Sequence, residues 1–211
     1  GATVLSGGTV EKTGVPLDLQ GGALAGEGTV IGNVVNGANV APGVSPGIIA
    51  VDGDYTQTAS GVLTIELAGS LVPGTEFDQL QVTGSANLDG TLRVELISAF
   101  EPMAGQSFEI LTCGSRNGTF ATVAGPCGGV EGVFDVVYGT TSVTLLVTDD
   151  PVLGDMNLDG GVDLADVAMF QNCFSGSVGP VASCCERGDF NVDDTIDITD
   201  YVTFSGLIAG P

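Results

Sequence analysis

Gly154-Asp155-Met156-Asn157-Leu158-Asp159-Gly160-Gly161-Val162-Asp163-Leu164-Ala165-Asp166 is echoed, 34 residues later, by Gly188-Asp189-Phe190-Asn191-Val192-Asp193-Asp194-Thr195-Ile196-Asp197-Ile198-Thr199-Asp200. In each copy Asp, Asn and Asp alternate with apolar residues. Their carboxylates and amide therefore converge from one side of a tight loop, and an acid at the twelfth position closes the shell. Such an oxygen cage suits a hard cation, Ca²⁺ before Mg²⁺, because so many protein oxygens disfavour the smaller ion. Like charges crowded into each loop repel one another, so cation binding and folding of this segment are expected to be coupled.

Working outward, the 211 residues carry 26 acids against four bases, Lys12, Arg93, Arg116 and Arg187, with no His and a net charge of −22. Nothing is left over to neutralise phosphates, which makes nucleic acid and anionic membrane surfaces poor partners. Ten of the acids lie after residue 150 and most of these belong to the two loops, while the rest spread over the first 150 residues as a solvated surface. A hydrophobic content of 43% is enough for a buried core. No apolar run reaches the roughly 18 residues needed to cross a bilayer. A chain that begins at Gly1 rather than Met suits a mature exported protein.

The five cysteines, Cys113, Cys127, Cys173, Cys184 and Cys185, show no zinc-type spacing and have no His to complete a zinc site. Disulfides are the better reading. Cys113 and Cys127 flank a short Gly-rich segment that they would close, and Cys173 can pair with Cys184 or with Cys185. One thiol remains, either buried or blocked within the chain or bridging to another.

The first 148 residues read as all-β. Up to about residue 60, short apolar stretches such as Thr29-Val30-Ile31 and Asn33-Val34-Val35 are broken by Gly or Asn-Gly every few positions. They are too brief for helices and suit strands joined by tight turns, with small residues letting successive coils stack. Further on, Leu63, Ile65 and Leu67, then Leu80 and Val82, then Leu92, Val94 and Leu96 alternate with polar residues, giving each strand one dry face. Asp89-Gly90 reads as a tight hairpin turn, and strands are expected again at 107–111, 133–138 and 142–148. The predicted architecture is a parallel β-solenoid, or β-helix, with antiparallel capping strands over residues 1–148. A linker follows at 149–153, where Pro151 ends the alternation, and a small α-helical calcium-binding domain occupies 154–211.

Two resemblances extend this reading. The stretch from Gly21 to about Val123, including "GTVIGNVVNGANVAPGVSPGIIAVDGDYTQTASGVLTIELAG" and "FDQLQVTGSANLDGTLRVELI", resembles the β-helical passenger repeats of autotransporter-like surface proteins. That likeness implies a parallel β-helix at the cell surface, with adhesive or structural roles and no catalytic residue. Residues 154–211 resemble a type I dockerin, the duplicated calcium-loop module that plugs into cohesin domains.

The dockerin resemblance implies two Ca²⁺ ions. Carried over, the first would be held by Asp155, Asn157, Asp159, the Gly161 carbonyl, Asp163 and Asp166. The second would be held by Asp189, Asn191, Asp193, the Thr195 carbonyl, Asp197 and Asp200. Gly160 stands where the loop needs a left-handed turn, and the second copy has Asp194 there. Val162 and Ile196 would pair the two loops. Helical stripes at Leu164, Val167, Phe170 and Phe174, and at Ile198, Tyr201, Phe204 and Ile208, would form a mutual core. Cohesin-binding dockerins commonly carry a Ser-Thr-like pair where this chain has Leu164-Ala165 and Ile198-Thr199, so these apolar positions suit packing against another surface.

Enzymatic chemistry has little support in the sequence. There is no His for a nucleophilic triad, and Lys12, Arg93 and Arg116 stand far apart. Asp54, Glu66, Asp78 and Glu95 offer carboxylates for glycoside chemistry with nothing to mark a facing pair. The expectation is a non-enzymatic extracellular protein, either a self-associating structural subunit locked by calcium, or an adhesin or carbohydrate-binding module tethered to a cohesin-like scaffold.

Overall fold

The computed structural model describes residues 2–98, 100–125, 134–148, 152–157, 161–174 and 185–208. The Gly-punctuated apolar stretches form strands, as β-branched residues between turn-formers should. In chain order these are β1 (Ala2–Glu11), β2 (Leu17–Leu19), β3 (Ala23–Ile31), β4 (Val34–Asn36), β5 (Asn39–Pro42), β6 (Ile48–Asp52), β7 (Tyr55–Gln57), β8 (Val62–Leu67), β9 (Gln79–Val82), β10 (Ser85–Leu88), β11 (Thr91–Leu96), β12 (Ser107–Thr112), β13 (Ser115–Gly118), β14 (Thr122–Ala124), β15 (Phe134–Tyr138) and β16 (Ser142–Val147). Two helices follow, α1 (Leu164–Cys173) and α2 (Ile198–Ser205).

Among the described residues the strands form two sheets. The larger is mixed, runs β14-β11-β8-β5-β3-β6-β9-β12-β16-β15 with β1 also paired to β3, and curls into a half-barrel. The smaller is parallel, in the order β13-β10-β7-β4-β2. This corrects the expected solenoid with a separate antiparallel cap and a small helical domain. The nine-residue β3 pairs along β1 and with both β5 and β6, which fuses the strands into one sheet. β12 takes β9 in parallel and β16 in antiparallel, so β15 and β16 extend that sheet instead of capping it. After residue 152 the described chain is mostly irregular and holds helices of only ten and eight residues.

Asp89-Gly90 is not a hairpin either. β10 and β11 lie in different sheets, and the positive φ of Gly90 turns the chain between them. Similar corners bring backbone against backbone. A Cβ on Gly53 would stand 2.6 Å from the Gly32 carbonyl, and one on Gly114 would stand 2.7 Å from the Thr83 carbonyl, so both positions need glycine. A polar ladder runs up one corner: Asp54 N–H donates to Asn33 Oδ1 at 2.9 Å, and Ser85 N–H donates to Asp54 Oδ1 at 2.8 Å. The Ser85 backbone and hydroxyl together hold the Asp54 carboxyl below the usual carboxylate range.

The core is built from like residues in register. Leu24, Val40, Leu63 and Leu92 are buried on consecutive neighbours β3, β5, β8 and β11, as are Val30, Val51 and Val82 on β3, β6 and β9. Leu63, Ile65 and Leu67 are fully buried as the alternation predicted, while Thr64, expected on the wet face, is buried as well. A buried polar network crosses this core. Asn36 Nδ2 donates to the Tyr55 hydroxyl at 3.0 Å, that hydroxyl donates to Gln57 Oε1 at 2.8 Å, and Gln57 Nε2 donates to the Asp89 and Thr91 carbonyls at 2.9 Å. Burial pushes the Tyr55 hydroxyl far above its ordinary value.

Asp78 is also fully buried, accepting the Gly47 N–H at 2.7 Å and the Glu66 N–H at 2.8 Å on its two oxygens. Burial first, then the charges of Glu66 and Glu95, push its carboxyl up to about 7, although the two N–H donors pull the other way. A carboxyl raised on folding contributes stability that is present below its unfolded value near 3.8 and is lost as pH rises through about 7. Thermal melts of the wild-type chain should therefore lose stability between about pH 4 and pH 7. Asp78→Asn should flatten that slope, whatever its effect on absolute stability.

Candidate metal centre

The two repeated segments fold by the same local rules. Asp163 and Asp197 are extended residues that cap α1 and α2, accepting the N–H of Ala165 and of Thr199, each at 2.7 Å. Three residues on, Asp166 and Asp200 reach back to the Asp163 and Asp197 N–H groups at 2.8 and 2.9 Å, completing a capping box in both copies. The other oxygen of Asp166 accepts Met156 N–H at 2.7 Å and Asn157 N–H at 3.1 Å. That of Asp200 accepts Phe190 N–H at 2.8 Å and Asn191 N–H at 3.3 Å. Both carboxylates are fully buried. Each draws the start of its loop onto the helix that ends it.

In the second loop every predicted donor is described. Asp189 accepts the Asp193 and Asp194 N–H groups on its two oxygens at 3.1 and 2.8 Å. Asp193 accepts the Thr195 hydroxyl at 2.5 Å and the Asn191 amide at 2.8 Å, and these two contacts hold its carboxyl below the usual range. Asp194 takes the left-handed conformation at φ 63°, as the position without glycine requires. In the first loop Asp155 is fully buried and Asn157 half-buried, with Gly161 and Asp163 following; Asp159 and Gly160 lie outside the described residues.

Carboxylates, an amide and backbone carbonyls are the donor chemistry a hard cation takes. Among the described residues, however, no three acidic or Cys side chains are gathered as a metal shell requires. In the second loop the side chains of Asp189, Asp193 and Asp200 instead accept N–H and O–H groups of the loop itself.

The two copies share one small core of Met156, Phe170, Ile196 and Phe204, with Val162, Val167, Phe190 and Ile208 packed on it. Phe170 and Phe204 stack at 4.7 Å between centroids. The predicted stripes are only partly inside: Leu164 and Ile198 are 79% and 63% exposed, because they are the first residues of their helices and project past the stack. Phe174 and Tyr201 are also largely exposed, although both rings lie against Phe170.

A disulfide joins Cys173, at the end of α1, to Cys185, which settles one of the two pairings the sequence allowed; Cys184 lies outside the described residues. Cys113 is a free buried thiol, raised by burial, and its expected partner Cys127 is also outside them. Sequence reasoning missed Arg187. Its guanidinium donates to the Asp155 carbonyl at 3.1 Å and the Val152 carbonyl at 3.3 Å, and lies 3.6 Å from the Glu101 carboxylate. A single basic residue immediately before an acidic repeat was the signal available for it.

Of the acids considered for glycoside chemistry, Glu66 and Glu95 are register neighbours on β8 and β11, and Asp78 lies beside them. Both Asp78 oxygens hold backbone N–H groups, which makes the cluster part of the packing. Asp54 stands apart in the corner ladder.

Compared with known proteins, the chain matches no family model and no curated protein. Among the described residues no helix is long and apolar enough to cross a membrane.

Replacing Asp166 or Asp200 with Ala removes the acceptor for three backbone N–H groups. Each change should cost about 2 to 3 kcal/mol of stability in the paired-loop segment, read by urea denaturation, with the Asn variants losing less because one acceptor oxygen remains.

Proposed function

We propose that this chain is a non-enzymatic extracellular assembly protein, in which a mainly β body carries a paired-loop module that folds around two Ca²⁺ ions and locks self-associated copies together. One observation carries the reading. Asp166 and Asp200 close their loops with matching sets of three hydrogen bonds, 34 residues apart, so the repeat is a repeat of structure and not of composition alone. Loops of this donor chemistry would bind Ca²⁺ through Asp155, Asn157, Asp159, Gly161, Asp163 and Asp166, and through Asp189, Asn191, Asp193, Thr195, Asp197 and Asp200. The ion would supply charge neutralisation: it permits four Asp side chains to share one loop, and it exchanges the N–H partners of Asp189 and Asp193 for a common centre.

The Cys173–Cys185 disulfide supports an oxidising, extracellular setting. Four basic residues and no His support a role without catalysis.

A second reading has its own support. Leu164 and Ile198 are equivalent positions of the repeat and both are exposed, which gives the module a symmetric apolar pair for a cohesin-like scaffold. In that reading the β body is an adhesin or polysaccharide-binding unit tethered by the module. Leu164→Asp/Ile198→Asp would abolish retention on an immobilised cohesin-like domain if this second reading holds, and would leave self-association intact under the first.

Calorimetric titration should give two Ca²⁺ per chain, falling to one in Asp189→Ala. At a free Ca²⁺ concentration about a hundredfold above the dissociation constant, the module should gain about 2.7 kcal/mol per site. A chelator should reverse the gain, and a melting profile identical with and without Ca²⁺ would contradict the proposal.

A further inference from the structure

We infer that the cleft between the segment following β1 and the ends of β3 and β6 is a binding site for one unit of a neutral polysaccharide. The inference rests on the second reading above, in which the β body binds a polysaccharide, and names the site that does so. The cleft has a volume of about 400 Å³, within the range of about 300 to 1,000 Å³ that small-ligand sites occupy. Lys12, Thr13 and Val15 line it from one layer of chain, Ile31 and Asn33 from the next, and Asp52 from the third.

Backbone contacts hold the three layers together. Lys12 N–H donates to the Ile31 carbonyl at 2.8 Å, and Gly32 N–H donates to the Asp52 carbonyl at 2.9 Å. Gly32, at φ 120°, lets the first layer close on the second, since a Cβ there would collide with the Lys12 carbonyl. The polar side chains are tied down at one atom and left open at another. Asn33 Oδ1 accepts the Asp54 N–H at 2.9 Å, which leaves Nδ2 as the donor offered to a ligand. Asp52 Oδ1 accepts the Thr83 hydroxyl at 3.0 Å, which leaves Oδ2 as an acceptor. Among the described residues the Lys12 ammonium is in no ion pair, although it lines the same cleft as Asp52. Arg116 and Arg187, by contrast, are engaged with backbone carbonyls.

This lining selects the class of occupant. Two donors and one acceptor face ligand from a single cleft, and vicinal hydroxyls, each of which donates and accepts, use all three. One ammonium against one carboxylate leaves the cleft without net charge to attract an ion, and the −22 of the whole chain further opposes an anion. Among the described residues no aromatic ring lines the cleft, which removes the stacking surface that a nucleobase would use. Val15 and Ile31, 61% and 37% exposed, offer the apolar contact that the C–H face of a sugar ring takes. All six side chains are exposed, so the cleft is open to solvent and suits a unit within a longer chain better than an enclosed small molecule.

NMR titration of the isotope-labelled full chain tests the inference, with cellohexaose, xylohexaose and mannohexaose as neutral probes and hexagalacturonate and alanine as charged ones. At least one neutral probe should shift the amide resonances of Lys12, Ile31 and Asn33, with a dissociation constant on the order of 1 mM or below. Asn33→Asp keeps an oxygen for the Asp54 N–H and removes the amide donor, and Lys12→Gln removes the ammonium. Each should weaken that binding by about fivefold or more. Arg93→Gln removes the same charge from an exposed strand position outside the cleft and should leave binding unchanged, and circular dichroism confirms that the three variants fold. A neutral probe that shifts residues elsewhere, or whose binding Asn33→Asp and Lys12→Gln leave intact, overturns the cleft and leaves the second reading standing. No binding of any neutral probe overturns both, and tighter binding of alanine or hexagalacturonate overturns the neutral sugar as occupant.

Discussion

Each of the paired loops depends on one buried carboxylate that accepts three backbone N–H groups. Asp166 and Asp200 satisfy donors at a helix start that would otherwise be orphaned, and with the same side chain they draw in the beginning of the loop nine or ten residues earlier. Loop geometry and helix geometry are therefore set by a single residue. Everything else in the segment, including the Phe170–Phe204 stack and the disulfide, joins two units that are already shaped. The cost is concentrated charge, since four carboxylates in the first copy and five in the second crowd a short segment. That charge is the physical basis of the proposed divalent cation.

The β body is held by a different constraint, the close approach of backbone to backbone at glycine corners. With Gly53 and Gly114 set against neighbouring carbonyls, like side chains are forced into register: Leu on Val on Leu along the larger sheet, and Asn36, Tyr55 and Gln57 joined across the smaller one. Asp78 ties the Gly43–Gly47 turn to β8 through the same kind of carboxylate-to-backbone contact that closes the loops. Arg187 links the two regions, because its guanidinium reaches the carbonyl of Asp155 and the carboxylate of Glu101 at once.

Much of this was legible in the sequence, for reasons that differ by region. Period-two alternation identified the buried faces of β8, β9 and β11 because each strand has one dry side. The 34-residue echo located both loop-and-helix segments, but Asp163, Asp166, Asp197 and Asp200 were read there as cation ligands, and their capping of the helices was not. Sheet membership was not legible: whether Asp89-Gly90 makes a hairpin or a corner is decided by what β10 and β11 pair with 30 residues away, and the joining of β15 and β16 to the larger sheet is decided in the same way. The helix stripes were half right, since heptad-like spacing cannot tell a core position from a first-turn residue that overshoots the partner helix, as Leu164 and Ile198 do. Arg187 and Asp78 owe their roles to tertiary neighbours and left only weak marks in the chain.

The central claim is that the two loops are one cation-dependent unit closed by Asp166 and Asp200. Residue-resolved amide hydrogen exchange at Met156, Asn157, Phe190 and Asn191, with Ca²⁺ and then with a chelator, tests it most directly. All four amides should exchange slowly in Ca²⁺ and speed up together when the ion is removed, while Leu63 and Leu92 in the β body keep their protection. Equal protection of the four amides in both conditions, or loss confined to one loop, would contradict it.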